Sequence, residues 1–475
     1  MRGLRPLQLR PGLDPTVALA ALATVFVSFG ATRYGPRESL GVLLVALLFT
    51  LALIGFVAAP RIAVAATIVL FVTIPALKVF TTPLIGSLKD LDTAAAVCAA
   101  IVVSVLRRRV VEPGVLGLIA LLLGIYVINA GGGHGVAWAQ GVRLAGEPLL
   151  LLAVGLSLPD PRRTMRAAIV TLVVSAAAVA FYGIVQQVIG GDRLVALGYA
   201  YGDQVRTASG HLRSFGTLDD PFAYAAYLLL GLAALLFGMR RGPWTRVALW
   251  LIVAGLAASL VRTGLILCVT FVGILLLRRQ LWTSGLMIAA AAAVAGVVLL
   301  VAQGSATETR TIPLATSTGS HSISSRPGVG DVILNGRVSA WKAAIGDAPA
   351  AWAIGRGVGV VGTAAARSGY SLAPAPTGDA GRSAIAVDSG YLATLADVGM
   401  IGLAVFLALL ARLFMLASAA ARRQDDTGWF ALALLSGLVL DALTRASFTG
   451  FPTAFIGLLV VGIALAAARE QPQGT

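Results

Sequence analysis

Arg262 stands in the stretch SLVRTGLILCVTF (259–271) and is the only side chain from Val247 to Leu277 able to carry a charge at neutral pH. Other charges lie in or beside apolar runs: Lys78, Arg143, Glu147, Asp397, Asp441 and Arg445. Arg143 and Glu147 are four positions apart, as are Asp441 and Arg445, so each pair can meet on one helix face. Arginines also gather in polar stretches between apolar runs, among them Arg193, Arg206, Arg213, Arg337, Arg356 and Arg367, together with Lys342 and His211. Acidic residues are fewer there. Guanidinium groups match phosphate bidentately and stay charged at any physiological pH, so such a collection suits an anionic ligand. Carboxylates in the same set, Asp388 among them, could accept a proton.

The chain that must position these groups is apolar. It has 475 residues, 58% hydrophobic and only 12% charged, about half the charged share of a soluble domain. Apolar runs of spanning length recur from near the N-terminus to Leu465, which predicts an all-α, polytopic transmembrane bundle of about 14 spans. The first span is read at 16–32 as an uncleaved helix behind Arg2, Arg5 and Arg10, and the last at 450–468. The fourth is read at 92–107 and the twelfth at 388–415. Net charge is +15, but the basic residues fall in short turns as the positive-inside rule requires, and no nucleic-acid partner is read from them. Cys98 and Cys268 lie inside apolar runs and read as small buried hydrophobes; no disulfide or metal framework can be built from them.

The basic turns are 107–109, Arg162 with Arg163, Arg240 with Arg241, Arg278 with Arg279, and Arg422 with Arg423. Placing all of them in the cytoplasm puts both termini inside, with Arg33 and Arg37 on the wrong side. Because the turns at 240–246 and 278–279 are both basic, the run around Arg262 must cross twice, as spans 246–261 and 263–278. A break near Arg262 follows, with Thr263 and Gly264 expected to supply the turn. Two long polar segments, 191–220 and 303–387, then face outward, the second rich in Gly, Ser, Thr, Ala and Pro and expected to be partly helical. Four regions result: N-terminal spans (1–190), a core with the Arg262 break (191–302), a large outer loop (303–387) and C-terminal spans (388–475). The in-span charges all fall in the outer half, which describes a polar cavity opening outward.

Four stretches carry a pattern in this order: SGHLRSFGTLDDPFAYAAYL (209–228), LVRTG (260–264), NGRVSAWKAAIGDAPAAWAIGRGVGVVG (335–362) and AVDSGYLATLADVGMIGLAVFLALL (386–410). In the first, Asp219 or Asp220 can cap a helix that Pro221 begins. The ordered set resembles the O-antigen ligase and O-antigen polymerase family of bacterial membrane glycosyltransferases. The resemblance covers roughly 209–410, and the N-terminal spans agree only in number and hydropathy. It implies a polyprenyl-pyrophosphate-linked glycan donor used at the outer face of the bacterial inner membrane. It also implies pyrophosphate binding by two arginines, whose positions are held here by Arg213 and Arg262. Ligases of the family place a histidine where this chain has Asp388, which weakens a ligase assignment and leaves polymerisation or a related transfer open.

The chemistry is coherent on its own terms. A glycosyl pyrophosphate is already activated, so neither nucleotide, metal nor other cofactor is called for. Fixed cations can stabilise the leaving group, and an aspartate near its ordinary pKa of about 3.9 can take the acceptor hydroxyl's proton. Catalytic candidates are Arg213, Arg262 and Asp388; substrate-binding candidates are Arg206, His211, Arg337, Trp341, Lys342 and Tyr391. The partners are then the lipid-linked donor, a hydroxyl acceptor and the bilayer.

Plainer readings stand beside these. Asp388 suits the N-cap of its span, Arg337 and Trp341 suit a structural stacked pair, and Arg213 suits a headgroup anchor. The G-x-G-x-x-G of Gly357, Gly359 and Gly362 lacks the strand–helix setting of a dinucleotide site. His134 and His321 have no metal-ligand spacing. The competing class is a transporter or flippase of an anionic lipid-linked substrate, for which charges near the midplane and inverted repeats would be expected. A third is a scaffold that binds the glycan without consuming it.

Overall fold

The computed structural model describes residues 36–107, 112–130, 135–201, 204–208, 210–240, 242–261, 264, 267–268, 270–271, 273–274, 353–359, 389–423 and 425–470. The helices are α1 (Pro36–Ala58), α2 (Pro60–Phe80), α3 (Leu88–Arg107), α4 (Pro113–Ile128), α5 (Val136–Ser157), α6 (Pro161–Ile189), the short α7 (Gly191–Ala196), α8 (Pro221–Ala233), α9 (Pro243–Ala258), α10 (Gly390–Arg422), α11 (Asp426–Asp441) and α12 (Thr453–Arg469). A short 3₁₀ turn, Pro83–Ser87, precedes α3, and a π-helical turn, Ala234–Gly238, extends α8. The all-α reading has one small exception, an antiparallel pair of strands, β1 (Arg206–Ala208) and β2 (His211–Arg213).

Local chemistry explains where these helices begin. Proline occupies the first turn of α2, α4, α6, α8 and α9, where its missing N–H has no intrahelical partner to lose. Asp220, one of the two expected caps, accepts from the backbone N–H of Phe222 at 2.7 Å and of Ala223 at 2.8 Å. Asp425 does the same for Thr427 at the start of α11.

Among the described residues, five helices are long and apolar enough to cross a membrane: Pro60–Phe80, Val136–Ser157, Pro161–Ile189, Pro221–Gly238 and Gly390–Arg422. Shorter apolar helices accompany them. The span read at 16–32 lies outside the described residues. The bundle is built around α12, in which every residue from Thr453 to Ala468 is buried. A helix apolar on all sides belongs in such a place. It crosses α5 where Gly155 faces Gly462, and a Cβ on either would run into the other helix's backbone. Small residues at such a crossing let two backbones touch, which supplies packing that lipid cannot.

The apolar side chains on the outside are large, including Ile62, Val105, Val188 and Trp244, as expected of a surface solvated by lipid. Cys268 is buried, but Cys98 is exposed on α3, so the reading of both as buried is corrected for Cys98. Its neighbours Ala95, Ala96 and Ala99 face the core, and helical periodicity turns position 98 away from it.

The two ends of the bundle differ in charge. At the end that carries Arg162, Arg163, Arg422 and Arg423, Glu112 is gripped by Arg412 and Arg469. There Arg162 and Arg423 each donate to a carbonyl in the last turn of α12, those of Ala467 and Ala468, both at 3.3 Å. Cations there offset the partial negative charge of the helix C-terminus. The opposite end carries the strand pair.

Candidate functional site

The strand pair is pinned to α6 by two adjacent glutamines. Gln187 Nε2 donates to the Leu212 carbonyl at 2.9 Å and to Ser214 Oγ at 2.7 Å, and Ser214 Oγ donates to the Gly183 carbonyl at 2.6 Å. Gln186, fully buried, accepts at Oε1 from the N–H groups of Phe215 and Gly216 and donates from Nε2 to the Gly216 carbonyl. Gly216 has φ of 58°, and a Cβ there would meet Tyr224 and Val179. The glycine three residues after Arg213 is thus required by backbone angle and by space together. Close by, the Tyr199 hydroxyl lies 3.1 Å from that of Tyr182, and burial pushes the Tyr199 phenol up, keeping it neutral.

Strand β2 ends in Arg213, which pairs in register with Arg206 of β1. Arg213 Nη2 donates to the Leu260 carbonyl at 3.1 Å, and its guanidinium carbon lies 5.3 Å from the centre of the Phe222 ring. The backbone is tied at the same place, with Ser214 N–H donating to the Ala258 carbonyl at 3.0 Å. Helix α9 ends at Ala258, and Leu260 adopts a left-handed φ of 53°. The break expected near Arg262 is therefore present, at Ser259–Val261; Gly264, expected in the turn, is already helical, and Thr263 lies outside the described residues. Ser259 serves as the local stop, since its Oγ accepts from Val261 N–H at 3.2 Å. A serine that bonds its own neighbouring backbone competes with the helix at this point.

A third segment reaches this end at the start of α10. Gly390 N–H lies 2.8 Å from both the Ala442 and the Arg445 carbonyls, and Ser389 Oγ donates to the Ala442 carbonyl at 3.4 Å. Arg445 pairs with Asp441 at 3.7 Å, but not on one helix face as expected: α11 ends at Asp441 and Arg445 stands in the bend beyond it, where its Nη1 also donates to the carbonyl of Phe222. Asp441 accepts from Ser447 Oγ at 2.5 Å. Phe222 thus meets Arg213 with its ring and Arg445 with its backbone.

The glycine-rich piece 353–359 has a structural use. Helix α10 is broken at Gly399 (φ 68°, ψ −169°), and the loop backbone fills the break. Arg356 N–H donates to the Ala396 carbonyl at 2.7 Å, Gly357 N–H to Asp397 at 3.0 Å, and Ile401 N–H to Ala353 at 3.2 Å. Val358 N–H reaches the carbonyl of Asn129, whose side chain donates to the Asp397 and Ile354 carbonyls. A Cβ at Gly355, Gly359 or Gly399 would strike the neighbouring backbone. These glycines let main chain approach main chain.

One charge cluster escaped sequence reading. Lys89 is buried, with Nζ 2.6 Å from Glu147 and 2.7 Å from Asp90 and lying over the rings of Phe451 and Phe455. Arg143 completes the cluster, 3.3 Å from Glu147 as its spacing predicts and 3.0 Å from Asp90. Lys78 pairs with Asp219 at 3.9 Å. The span read at 92–107 left Lys89 and Asp90 in a loop, whereas α3 starts at Leu88 and carries both inside. The alternation in LKDLD (88–92), charged residues followed at once by an apolar run, was the available signal.

Of the residues singled out in the sequence, Arg206 and Arg213 are half-buried and paired, and His211 is exposed on β2. Tyr391 donates to the Val439 carbonyl at 2.9 Å and packs among Phe406 and Phe448, so its hydroxyl ties α10 to α11. Arg262, Arg337, Trp341, Lys342 and Asp388 lie outside the described residues. Among the described residues, no group of His, Cys, Asp and Glu is arranged to hold a metal ion.

Part of the chain at this end matches a known family model. Residues 247–407 match the family model described as O-Antigen ligase, which takes in the Ser259–Val261 bend, the piece 353–359 and the first half of α10. A match to this family implies the handling of a lipid-linked glycan by a ligase or polymerase, broadly. No curated protein matches the chain.

Proposed function

We propose that the protein transfers a glycan from a polyprenyl-pyrophosphate donor to an acceptor hydroxyl at the outer face of a bacterial inner membrane, as a polymerase or ligase of cell-surface polysaccharide. The observation that carries this is the bond from Arg213 to Leu260. It joins the arginine-bearing hairpin to the chain two residues before Arg262, inside the segment that matches the family. In this reading about 14 helices cross the bilayer with both termini in the cytoplasm, and the basic turns at one end of the bundle support that orientation.

In the transfer, the acceptor oxygen attacks the anomeric carbon as its proton passes to the Asp388 carboxylate. The bond from that carbon to the pyrophosphate oxygen breaks, and the leaving electron pair is stabilised by Arg213 and Arg262. A single displacement inverts the anomeric centre. Arg206 and His211 on the strand pair, and Arg337, Trp341 and Lys342 in the long outer loop, would hold the phosphates and the sugars. The pyrophosphate is itself the activated leaving group, so the step needs no metal or nucleotide.

The test uses purified protein in lipid with a polyprenyl-pyrophosphate oligosaccharide, following polyprenyl pyrophosphate and product size by mass spectrometry. Release by the wild type and its loss in Arg262→Ala at matched folding would support a transferase, and a ladder or a single product would separate polymerase from ligase. Donor bound but never consumed across a panel of acceptors would overturn the reading in favour of a transporter or flippase.

A further inference from the structure

The Asp441–Arg445 pair has no part in the chemistry just described, yet it lies where three segments meet. A scaffold pair would need only the contact at 3.7 Å between the side chain of Asp441, the last residue of α11, and that of Arg445 in the bend beyond it. Arg445 reaches further. Its Nη1 donates to the Phe222 carbonyl in the first turn of α8, while its own backbone carbonyl accepts from Gly390 N–H at 2.8 Å. One residue therefore grips the hairpin side through its guanidinium and the start of α10 through its main chain. Its side chain is 15% exposed, and Asp441 is 7% exposed and held in turn by Ser447. Phe222 completes the link, because its ring stands against Arg213.

We infer that Arg445 is a positioning residue, an inference that rests on the proposed transfer. It sets the spacing between the arginine-bearing strand pair and the helix start that follows Asp388 in the chain. A planar guanidinium can bond Asp441 and the Phe222 carbonyl at once from fixed directions, whereas a lysine ammonium is a point charge on a flexible stem. Misplacing reacting groups by about 1 Å costs roughly 10²-fold in rate, even from a site remote from the chemistry. Arg445 lies beyond the segment that matches the family, so this control comes from the C-terminal part of the chain.

The experiment compares wild type, Arg445→Gln and Arg445→Lys as full-length protein in lipid nanodiscs, with two readouts. Hydrogen exchange needs no substrate. In Arg445→Gln it is expected to speed up over 211–224 and 389–398 and to stay unchanged over 161–175 and 405–422; equal exchange in wild type and variant at the first two segments would overturn the inference. The second readout is steady-state donor turnover. The expected result is a kcat lowered about 10- to 100-fold, a donor KM within about threefold of wild type, and partial recovery in Arg445→Lys. An unchanged kcat per folded molecule, or a donor KM raised as far as by Arg213→Ala, would also overturn it, the latter by making Arg445 a donor contact. Should the wild type fail to consume the donor, the proposed function falls, and the exchange data still decide whether Arg445 holds the two segments together.

Discussion

Arg213 Nη2 lies 3.1 Å from the carbonyl oxygen of Leu260, so the end of the strand pair is bonded to the turn that closes α9. Carbonyls at a helix C-terminus have no partner within the helix and are ready acceptors. The bond joins two arginine-bearing stretches that are 47 residues apart in the chain. It also keeps the Arg213 side chain against Phe222, which in turn bonds Arg445. The polar end of the bundle is one connected unit.

Replacing Arg213 tests the donor contact. Arg213→Lys keeps a charge but loses the planar fork, and Arg213→Ala loses both. Transfer should fall by about 10²-fold in the alanine variant, the usual loss on removing one donor of transition-state stabilisation, and by less in the lysine variant. Initial rates of polyprenyl pyrophosphate release measure this, and full activity in Arg213→Ala would remove Arg213 from the reaction.

The glutamine clamp should matter to stability. Gln186→Leu leaves two N–H groups and one carbonyl of the 215–216 backbone unpaired in a buried place, at about 1–3 kcal/mol for each unsatisfied group. A lower midpoint of thermal unfolding is expected, with Gln186→Glu intermediate because a carboxylate can accept from both N–H groups but cannot donate. Tryptophan fluorescence melts in detergent would show it; equal midpoints would mean the backbone finds other partners.

Gly399 is expected to tolerate no side chain. Its φ of 68° and ψ of −169° belong to a region open essentially to glycine, and a Cβ would strike the Ala353 carbonyl and the Gly355 nitrogen. Gly399→Ala should cost about 1–3 kcal/mol from the backbone angles alone and should release the piece 353–359 from the break in α10. Limited proteolysis near 353–359 at a temperature where wild type resists cleavage is the check.

The Lys89 cluster predicts a non-additive result. Lys89→Met leaves Glu147 and Asp90 short of a buried cation, and breaking one side of such a pair costs about 3–5 kcal/mol. Removing Glu147 as well, in Lys89→Met/Glu147→Leu, leaves the Arg143–Asp90 pair intact and should recover a large part of the loss. Thermal midpoints of the two single variants and the double variant close this cycle. Purely additive losses would mean that Lys89 and Glu147 act independently.

Much of this was readable from residue order. The apolar runs predicted helices whose observed bounds differ by a few residues, as in 92–107 against Leu88–Arg107 and 450–468 against Thr453–Arg469. Proline and aspartate at helix starts, and the i, i+4 pair of Arg143 and Glu147, act within one or two turns, and such local preferences survive folding. The break near Arg262 was legible from the basic turns on either side of its apolar run. The glycines of 355–359, by contrast, carried no local signal of their use, because what they accommodate is a distant backbone.

What the sequence determined by itself, then, was the apolar helical class of the chain, the sites of its turns, and the presence of arginines at one set of connections. Those depend on the transfer of side chains out of water and on short-range backbone bonding, both fixed by composition and spacing. Tertiary structure alone decided that Lys89 is buried among Asp90, Glu147 and two phenylalanines, and that residues 353–359 complete α10. It also decided that Arg445 joins Phe222 to Gly390. Each of these is a contact between segments far apart in the chain, and which distant segments meet is decided by how whole helices pack.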